Sequence, residues 1–147
     1  MDEKHLAYCG LYCENCLMRA TIGPDAAKLR DDMKRMGFER FGPMIPKFPE
    51  FWEFLADMAE HRGCEGCREG GGNPYCEARK CAKEKNAAVC MACAEYPCGR
   101  LGALLADYPA LRDDNQLFRA QGREKWEQMH EDRRRGGYTY PDAEERS

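Results

Sequence analysis

Residues 64–98 read CEGCREGGGNPYCEARKCAKEKNAAVCMACAEYPC, and seven of the ten cysteines of the chain lie in this stretch. Two pairs of them have the C-x2-C spacing, at which a tight turn can direct two thiolates toward one tetrahedral ion. The repeated spacing predicts a metal-binding protein whose loops are shaped by ligation. The cysteines of the stretch are Cys64, Cys67, Cys76, Cys81, Cys90, Cys93 and Cys98.

Three further cysteines follow the pattern Cys9-x3-Cys13-x2-Cys16, which contains a third C-x2-C pair. A zinc site closed by four thiolates is structural, and the ten thiols are two more than two such sites require. A third site needs His5 or His61, a bridging thiolate or an open position. Capping of helix carbonyls is the preferred interpretation of His61. The sequence therefore predicts that all ten cysteines are ligands of two or more zinc ions.

The linear order suggests a site formed by Cys64, Cys67, Cys76 and Cys81. A continuous helix entered at Cys76 would place Cys76 and Cys81 about 140° apart around its axis. Either the helix begins after Cys76, or these two thiols serve different metals. The triplets Cys9/Cys13/Cys16 and Cys90/Cys93/Cys98 each need a fourth ligand, so the N-terminal segment is expected to dock against the second triplet.

Composition favours a small soluble protein that needs crosslinks. Charged residues make up 33% of the 147 residues, and the mean hydropathy is −0.79, so metal ligation would supplement a modest apolar core. We expect one cysteine-rich metal-binding domain over residues 1–135 and a polar, mobile tail over 136–147.

The chain shows neither a signal peptide nor a membrane-spanning run, which predicts a cytoplasmic protein without membrane contact. In a reducing compartment, paired cysteines indicate metal ligands more than disulfides. A net charge of −3 and a pI near 5.7 argue against a nucleic-acid partner.

Hydrophobic periodicity predicts a mostly α fold with irregular metal-bound loops, short helices around cysteine-ligated zinc sites and little β structure beyond small hairpins. In the second helix, Phe51, Phe54/Leu55 and Met58 form the apolar stripe, and core packing is preferred over a ligand platform for the nearby aromatic rings. Helices are predicted near residues 25–36, 49–61, 77–85, 99–107 and 115–132.

The last of these helices has its own signals. Pro109 ends the preceding helix, Asp114 and Asn115 can act as N-caps, and Gly122 predicts a break before the helix continues through Trp126.

The cysteine spacing also suggests two alternatives to a structural role. The Cys9/Cys13/Cys16 spacing also matches radical enzymes that use S-adenosylmethionine, but their α/β barrel requires strands that this sequence does not predict. An iron–sulfur or dithiol redox protein remains the alternative, because tetrathiolate sites suit zinc and iron alike. No catalytic constellation is visible, so a non-enzymatic role is favoured.

The motifs CGLYCENC (residues 9–16), FWEFL (51–55), CEGCR (64–68), CEARKCA (76–82) and CMACAEYPC (90–98) resemble the domain-of-unknown-function family 3795. The likeness spans roughly residues 5–130. It implies a small cysteine-rich zinc-binding protein of bacteria or archaea and names no reaction.

Together these observations predict a cytoplasmic zinc-binding protein that has structural zinc knuckles and whose exposed surface binds a protein partner. Cys9 is expected to be the most dispensable thiol, because it lies outside the Cys13/Cys16 pair and near a terminus, where chains fray easily.

Overall fold

The structure, a computed structural model, describes residues 3–60 and 64–140. Its contacts divide the chain into two compact units where the sequence predicted one domain. Unit 1 comprises Met1–Cys16 and Gly66–Ser147, and unit 2 comprises Leu17–Glu65. The mostly helical fold class is confirmed, and His61, a possible ligand, lies outside the described residues.

Unit 2 is helical throughout most of its length. A π-helical turn over Met18–Ile22 leads into α1 (Gly23–Arg35), which is followed by α2 (Phe38–Phe41), a 3-10 turn over Gly42–Met44 and α3 (Phe48–Glu60). Helices α1 and α3 are close to the predicted helices and pack against each other. Gly37 separates α1 from α2 at a φ of +81°, a conformation that favours glycine.

The core of unit 2 contains different aromatic residues from those predicted. Phe48 and Leu55 are buried, and the Phe48 ring stacks on Trp52 with centroids 5.3 Å apart. Phe51 and Phe54 are 41% and 64% exposed, so the prediction that they pack into the core is wrong. The buried stripe follows positions 48, 52 and 55, which the spacing of α3 permits equally well because apolar residues occupy adjacent faces.

Unit 1 contains the remaining helices: α4 (Glu77–Glu84), α5 (Gly102–Asp107) and α6 (Pro109–Arg135), with 3-10 turns over Cys90–Ala92 and Gly99–Leu101. The sequence correctly predicted a break at Gly122, where φ is 83° and ψ is 176°. Helix α6 begins earlier than predicted, because Pro109 occupies its first turn, where proline is well tolerated. Asp114 and Asn115 are therefore interior residues of α6, not caps.

The N-terminal segment of unit 1 forms a small hairpin. A single antiparallel bridge joins Leu6 to Tyr12, and the Ala7 N–H donates to the Leu11 carbonyl at 2.9 Å. This agrees with the prediction that β structure is limited to small hairpins near the cysteine turns. None of the helices in residues 3–60 and 64–140 has the length and apolar character needed to cross a bilayer.

The start of the predicted tail packs against this hairpin. Thr139 and Tyr140 are buried, and the Tyr12 N–H donates to the Tyr140 hydroxyl oxygen at 2.6 Å. Residues 138–140 therefore belong to the packed part of unit 1, because the aromatic ring of Tyr140 covers the hairpin. Residues 141–147 of the predicted tail lie outside the described residues.

Candidate metal centre

Nine of the ten cysteines belong to unit 1, and only Cys64 belongs to unit 2. In unit 2 the Cys64 carbonyl accepts a hydrogen bond from the Arg19 guanidinium at 2.8 Å. None of the ten cysteines, all of which lie in the described part of the chain, forms a disulfide. Unit 1 therefore contains most of the candidate ligands for a metal centre.

Two of the C-x2-C pairs form the predicted tight turn, and their geometry is nearly the same. The Cys16 N–H donates to the Cys13 carbonyl at 3.1 Å, and the Cys93 N–H donates to the Cys90 carbonyl at 2.9 Å. The closing cysteines are extended in both turns, with φ/ψ of −81°/130° at Cys16 and −71°/141° at Cys93. This is a backbone arrangement that brings both thiols of a pair to one side of the turn.

The third pair, Cys64 and Cys67, is arranged differently. The boundary between the units falls between them. Gly66 has a φ of +104°, and its carbonyl accepts hydrogen bonds from the N–H groups of Glu69 and Gly71. A side chain at this glycine would meet the Lys4 carbonyl oxygen at 3.4 Å and the Cys13 sulfur at 3.9 Å, so Cys13 lies beside the chain at Gly66.

Four thiols line one cavity of about 320 Å³ in unit 1. Cys81 is carried by α4, Cys90 and Cys93 by the 3-10 turn, and Cys98 by the segment that precedes Gly99–Leu101. The grouping therefore differs from the predicted set of Cys64, Cys67, Cys76 and Cys81. An ion pair between Lys85 and Glu95 also lines this cavity.

Helix α4 carries Cys81 but not Cys76. The helix begins at Glu77, so the first of the two predicted alternatives is correct. Cys76 precedes it in an extended conformation, with φ/ψ of −66°/105°, and its carbonyl accepts the Lys80 N–H at 3.1 Å. Only Cys81 is carried by the helix itself.

Several other thiols influence the pKa of Cys90. Burial raises the pKa of the Cys90 thiol to about 12, and the neighbouring thiols Cys98, Cys81, Cys93 and Cys76 raise this pKa further. Thiols in such a group remain protonated unless a cation offsets their mutual repulsion, whereas a coordinating thiol is deprotonated outright.

A second group of thiols surrounds Cys9. Cys9 is 5% exposed, and its pKa is raised to about 12, mainly by burial and then by Cys67, Cys90 and Cys76, against a lowering contribution from the Leu11 backbone. The N-terminal segment docks against the second triplet as predicted, since the Cys90 N–H donates to the Tyr8 carbonyl at 2.6 Å. Cys9 is consequently not in a fraying segment.

The part of the chain that contains the cysteines matches a known protein family. Residues 5–103 match the family described as "Protein of unknown function (DUF3795)". The chain belongs to this family. No curated protein and no solved structure matches it.

The DUF3795 match includes all ten cysteines but ends at Ala103, inside α5 and short of the predicted limit near residue 130. Helix α6 lies beyond it. The matched region thus contains every proposed ligand, whereas the helix that supports the first cysteine turn lies outside the match.

That support is a set of buried polar side chains on α6 that the sequence did not predict. Asn115 is fully buried and its side-chain amide donates to the Cys9 carbonyl at 2.9 Å. Asn15, inside the Cys13–Cys16 turn, places its amide nitrogen 3.1 Å from His130 Nδ1. Asn115 and His130 could have been found from the sequence, because each lies four residues after an apolar residue of α6, Leu111 and Trp126. A polar side chain on an apolar helix face is costly unless it is hydrogen-bonded.

A third buried polar residue of α6 completes this support. Asp114 is 1% exposed and accepts a hydrogen bond from Arg133 at 2.6 Å. Burial raises the pKa of the Asp114 carboxyl, and the Arg133 guanidinium opposes that shift. This pair joins the two halves of α6 across the break at Gly122.

Among residues 3–60 and 64–140, no three histidine, cysteine, aspartate or glutamate side chains already stand close enough together to hold an ion. The cavity lined by Cys81, Cys90, Cys93 and Cys98 nevertheless offers four soft ligands of the kind that zinc and iron prefer. All four side chains are partly exposed, so their thiols are accessible to an incoming ion. The donor set therefore fits a tetrathiolate site.

The buried histidine makes the folded state sensitive to acid. Burial, and then the Arg133 charge, lower the pKa of His130 from 6.5 to about 3. The unfolded chain therefore binds more protons between pH 6.5 and about pH 3, and the stability present above pH 6.5 is lost as pH falls through that window. We expect the free energy of unfolding to be about 2 kcal/mol lower at pH 5 than at pH 7 from this residue alone.

Urea denaturation of the metal-loaded protein, followed by circular dichroism at both pH values, measures this difference. A His130→Gln variant is the matched control because it keeps every cysteine, an amide in place of the imidazole and no titrating group. Its stability should fall by less over the same pH interval. Equal pH dependence in the two proteins would contradict the assignment to His130.

Proposed function

We propose that this DUF3795 protein binds zinc at structural cysteine-ligated sites in the cytoplasm and presents its surface to a protein partner. The observation that carries the proposal is the cavity lined by Cys81, Cys90, Cys93 and Cys98. These four thiols come from a helix, a knuckle turn and a loop, which are the parts that a structural site typically joins.

The four residues have a defined task in this proposal. Cys90 and Cys93 offer their thiols from one rigid turn, Cys81 from α4, and Cys98 from the strand-like segment before α5. When bound, a zinc ion supplies the positive charge that deprotonated thiols require. Holding one ion, the four residues would fasten α4 and the knuckle turn to the helices that follow, which explains how a chain with a modest apolar core maintains its fold.

Further thiols support the proposal of two or more ions. Cys67 and Cys76 lie near the buried Cys9, and Cys13 lies beside Gly66. The pKa of Tyr108 is raised by burial and by its neighbours Cys16, Asp107 and Cys9, which puts Cys16 near the same group. The ligands proposed for these remaining sites of unit 1 are Cys9, Cys13, Cys16, Cys67 and Cys76, and Cys64 in unit 2 stays a ligand predicted from the sequence.

Metal analysis of protein purified without added metal tests this proposal. We expect at least one zinc per chain and thiols that react with a disulfide reagent only after chelation. Less than one zinc per chain together with freely reacting thiols would refute the proposal.

The alternative is an iron–sulfur or dithiol redox protein. It is supported by the thiols of Cys76 and Cys98 near Cys90, and anaerobic purification tests it. Protein purified anaerobically and found to be brown and reducible supports iron–sulfur. A colourless protein with stoichiometric zinc excludes it.

A further inference from the structure

The exposed apolar surface of the described chain is concentrated in unit 2. Eight large apolar side chains are exposed, and seven of them lie in this unit, which holds only one cysteine. Metal ligation in unit 1 therefore does not account for these exposed apolar side chains. The seven residues are Leu29, Met36, Phe41, Met44, Ile45, Phe51 and Phe54.

A groove of about 400 Å³ lies within the same unit. Its apolar lining consists of the Phe48 and Trp52 rings, stacked at 5.3 Å with 20° between their planes, and of Pro43 and Pro49. Two further residues complete the lining, and both are glutamates, Glu39 and Glu53. Aromatic surface beside carboxylates is the combination that attracts a cationic side chain.

The acidic residues of α3, the helix that carries Trp52 and Glu53, favour the same ligand. Helix α3 carries four acidic residues and no basic one. Glu60 and Glu39 are partly offset by Arg30 and Lys34, at 3.7 Å and 3.8 Å. Glu53 forms no ion pair within the described part of the chain, so its charge remains available to a partner.

We propose that this groove is a docking site for a basic protein segment. A lysine or arginine side chain of the partner would lie against Trp52 and pair with Glu53, while an apolar residue beside it covers Met44, which is 80% exposed and adjoins Pro43 of the lining. The acidic helix α3 opposes nucleic acid. This inference specifies the partner-binding part of the proposed function and rests on it.

Fluorescence of the full chain, with its metal as purified, tests the docking site. The probe is a capped peptide of lysine, leucine and alanine, with lysines four residues apart, and the matched peptide carries glutamate in place of lysine. Trp52 is half-buried beside the groove, whereas Trp126 is fully buried, so Trp52 is the reporter. We expect a saturable change in emission with the lysine peptide and none with the glutamate peptide.

Two variants locate the binding on the groove. Glu53→Gln removes the available charge and Met44→Ser removes the exposed apolar side chain next to Pro43, and each should weaken lysine-peptide binding by about fivefold or more. Glu124→Gln removes another exposed acid, which lies on α6, and should leave binding unchanged. Because Glu53 and Met44 are both exposed, the variants should keep the circular dichroism spectrum of the original chain.

Three results would overturn the inference: equal binding of both peptides, unchanged binding by Glu53→Gln and Met44→Ser, or a dimer of the chain that Met44→Ser disperses. The zinc content of the same samples separates this inference from the metal proposal. Zinc-replete protein that ignores the peptide refutes the docking site alone, and zinc-free protein that binds it refutes the metal sites alone.

Discussion

A Cys90→Ser variant is expected to lose zinc and to unfold unit 1. Cys90 lines the four-thiol cavity and has Cys98, Cys81, Cys93 and Cys76 as neighbours, so no other thiol is better placed to join the two groups. A structural zinc contributes on the order of 10 kcal/mol to folding, which is comparable to the whole stability of a small domain. Metal analysis and far-ultraviolet circular dichroism measure both effects.

The control for this variant lies in the same turn. Ala92 is exposed between Cys90 and Cys93, and Ala92→Ser should keep the metal and change stability by less than about 0.5 kcal/mol. Chelation of the original protein should reproduce the Cys90→Ser spectrum. A folded Cys90→Ser protein with its full zinc content would show that the cavity is not a metal site.

A Cys9→Ser variant should be almost as damaging, contrary to the expectation from sequence that Cys9 is dispensable. The thiol is 5% exposed and lies near Cys67, Cys76 and Cys90, while the Cys9 carbonyl is fixed by Asn115. Loss of this ligand would leave an incomplete tetrahedron in the centre of unit 1. We expect a loss of about one zinc per chain and several kcal/mol of unfolding free energy.

A second variant at the same position separates ligation from packing. Serine leaves a buried hydroxyl that itself costs about 1–3 kcal/mol if unbonded, whereas alanine does not. Cys9→Ala should therefore still lose the metal if Cys9 is a ligand. If Cys9→Ala keeps its zinc and melts near the original temperature, the damage in Cys9→Ser comes from the hydroxyl, and Cys9 has only a packing role.

Local features of this protein were predictable from the sequence because local interactions determine them. The C-x2-C spacing predicted the turns at Cys13 and Cys90, since one backbone hydrogen bond closes each of them. Gly37 and Gly122 predicted interruptions, because each adopts a positive φ. The family resemblance rested on the same short motifs.

Features that depend on distant parts of the chain were not predictable. Cys81 was grouped with Cys64 by linear order, but its neighbours are set by the packing of α4 against the segment from Cys90 to Cys98. Phe54 was assigned to the core because apolar residues lie on adjacent faces of α3. Hydrophobic periodicity therefore fits two different buried faces of this helix equally well. Asn115 was taken for a cap because the same residue type serves at helix ends and as a buried anchor.

The hydrogen bonds from the hairpin to α6 and its following turn have a consequence for synthesis. Asn15 contacts His130 and Tyr12 contacts Tyr140, so unit 1 is closed by contacts 115 and 128 residues apart in sequence. Non-local closure of this kind is slow, and domains emerge from the ribosome N-terminus first. The nascent chain therefore exposes its first three thiols throughout the translation of unit 2 and the later cysteines, and it depends on the reducing power of its surroundings until residue 140 has emerged.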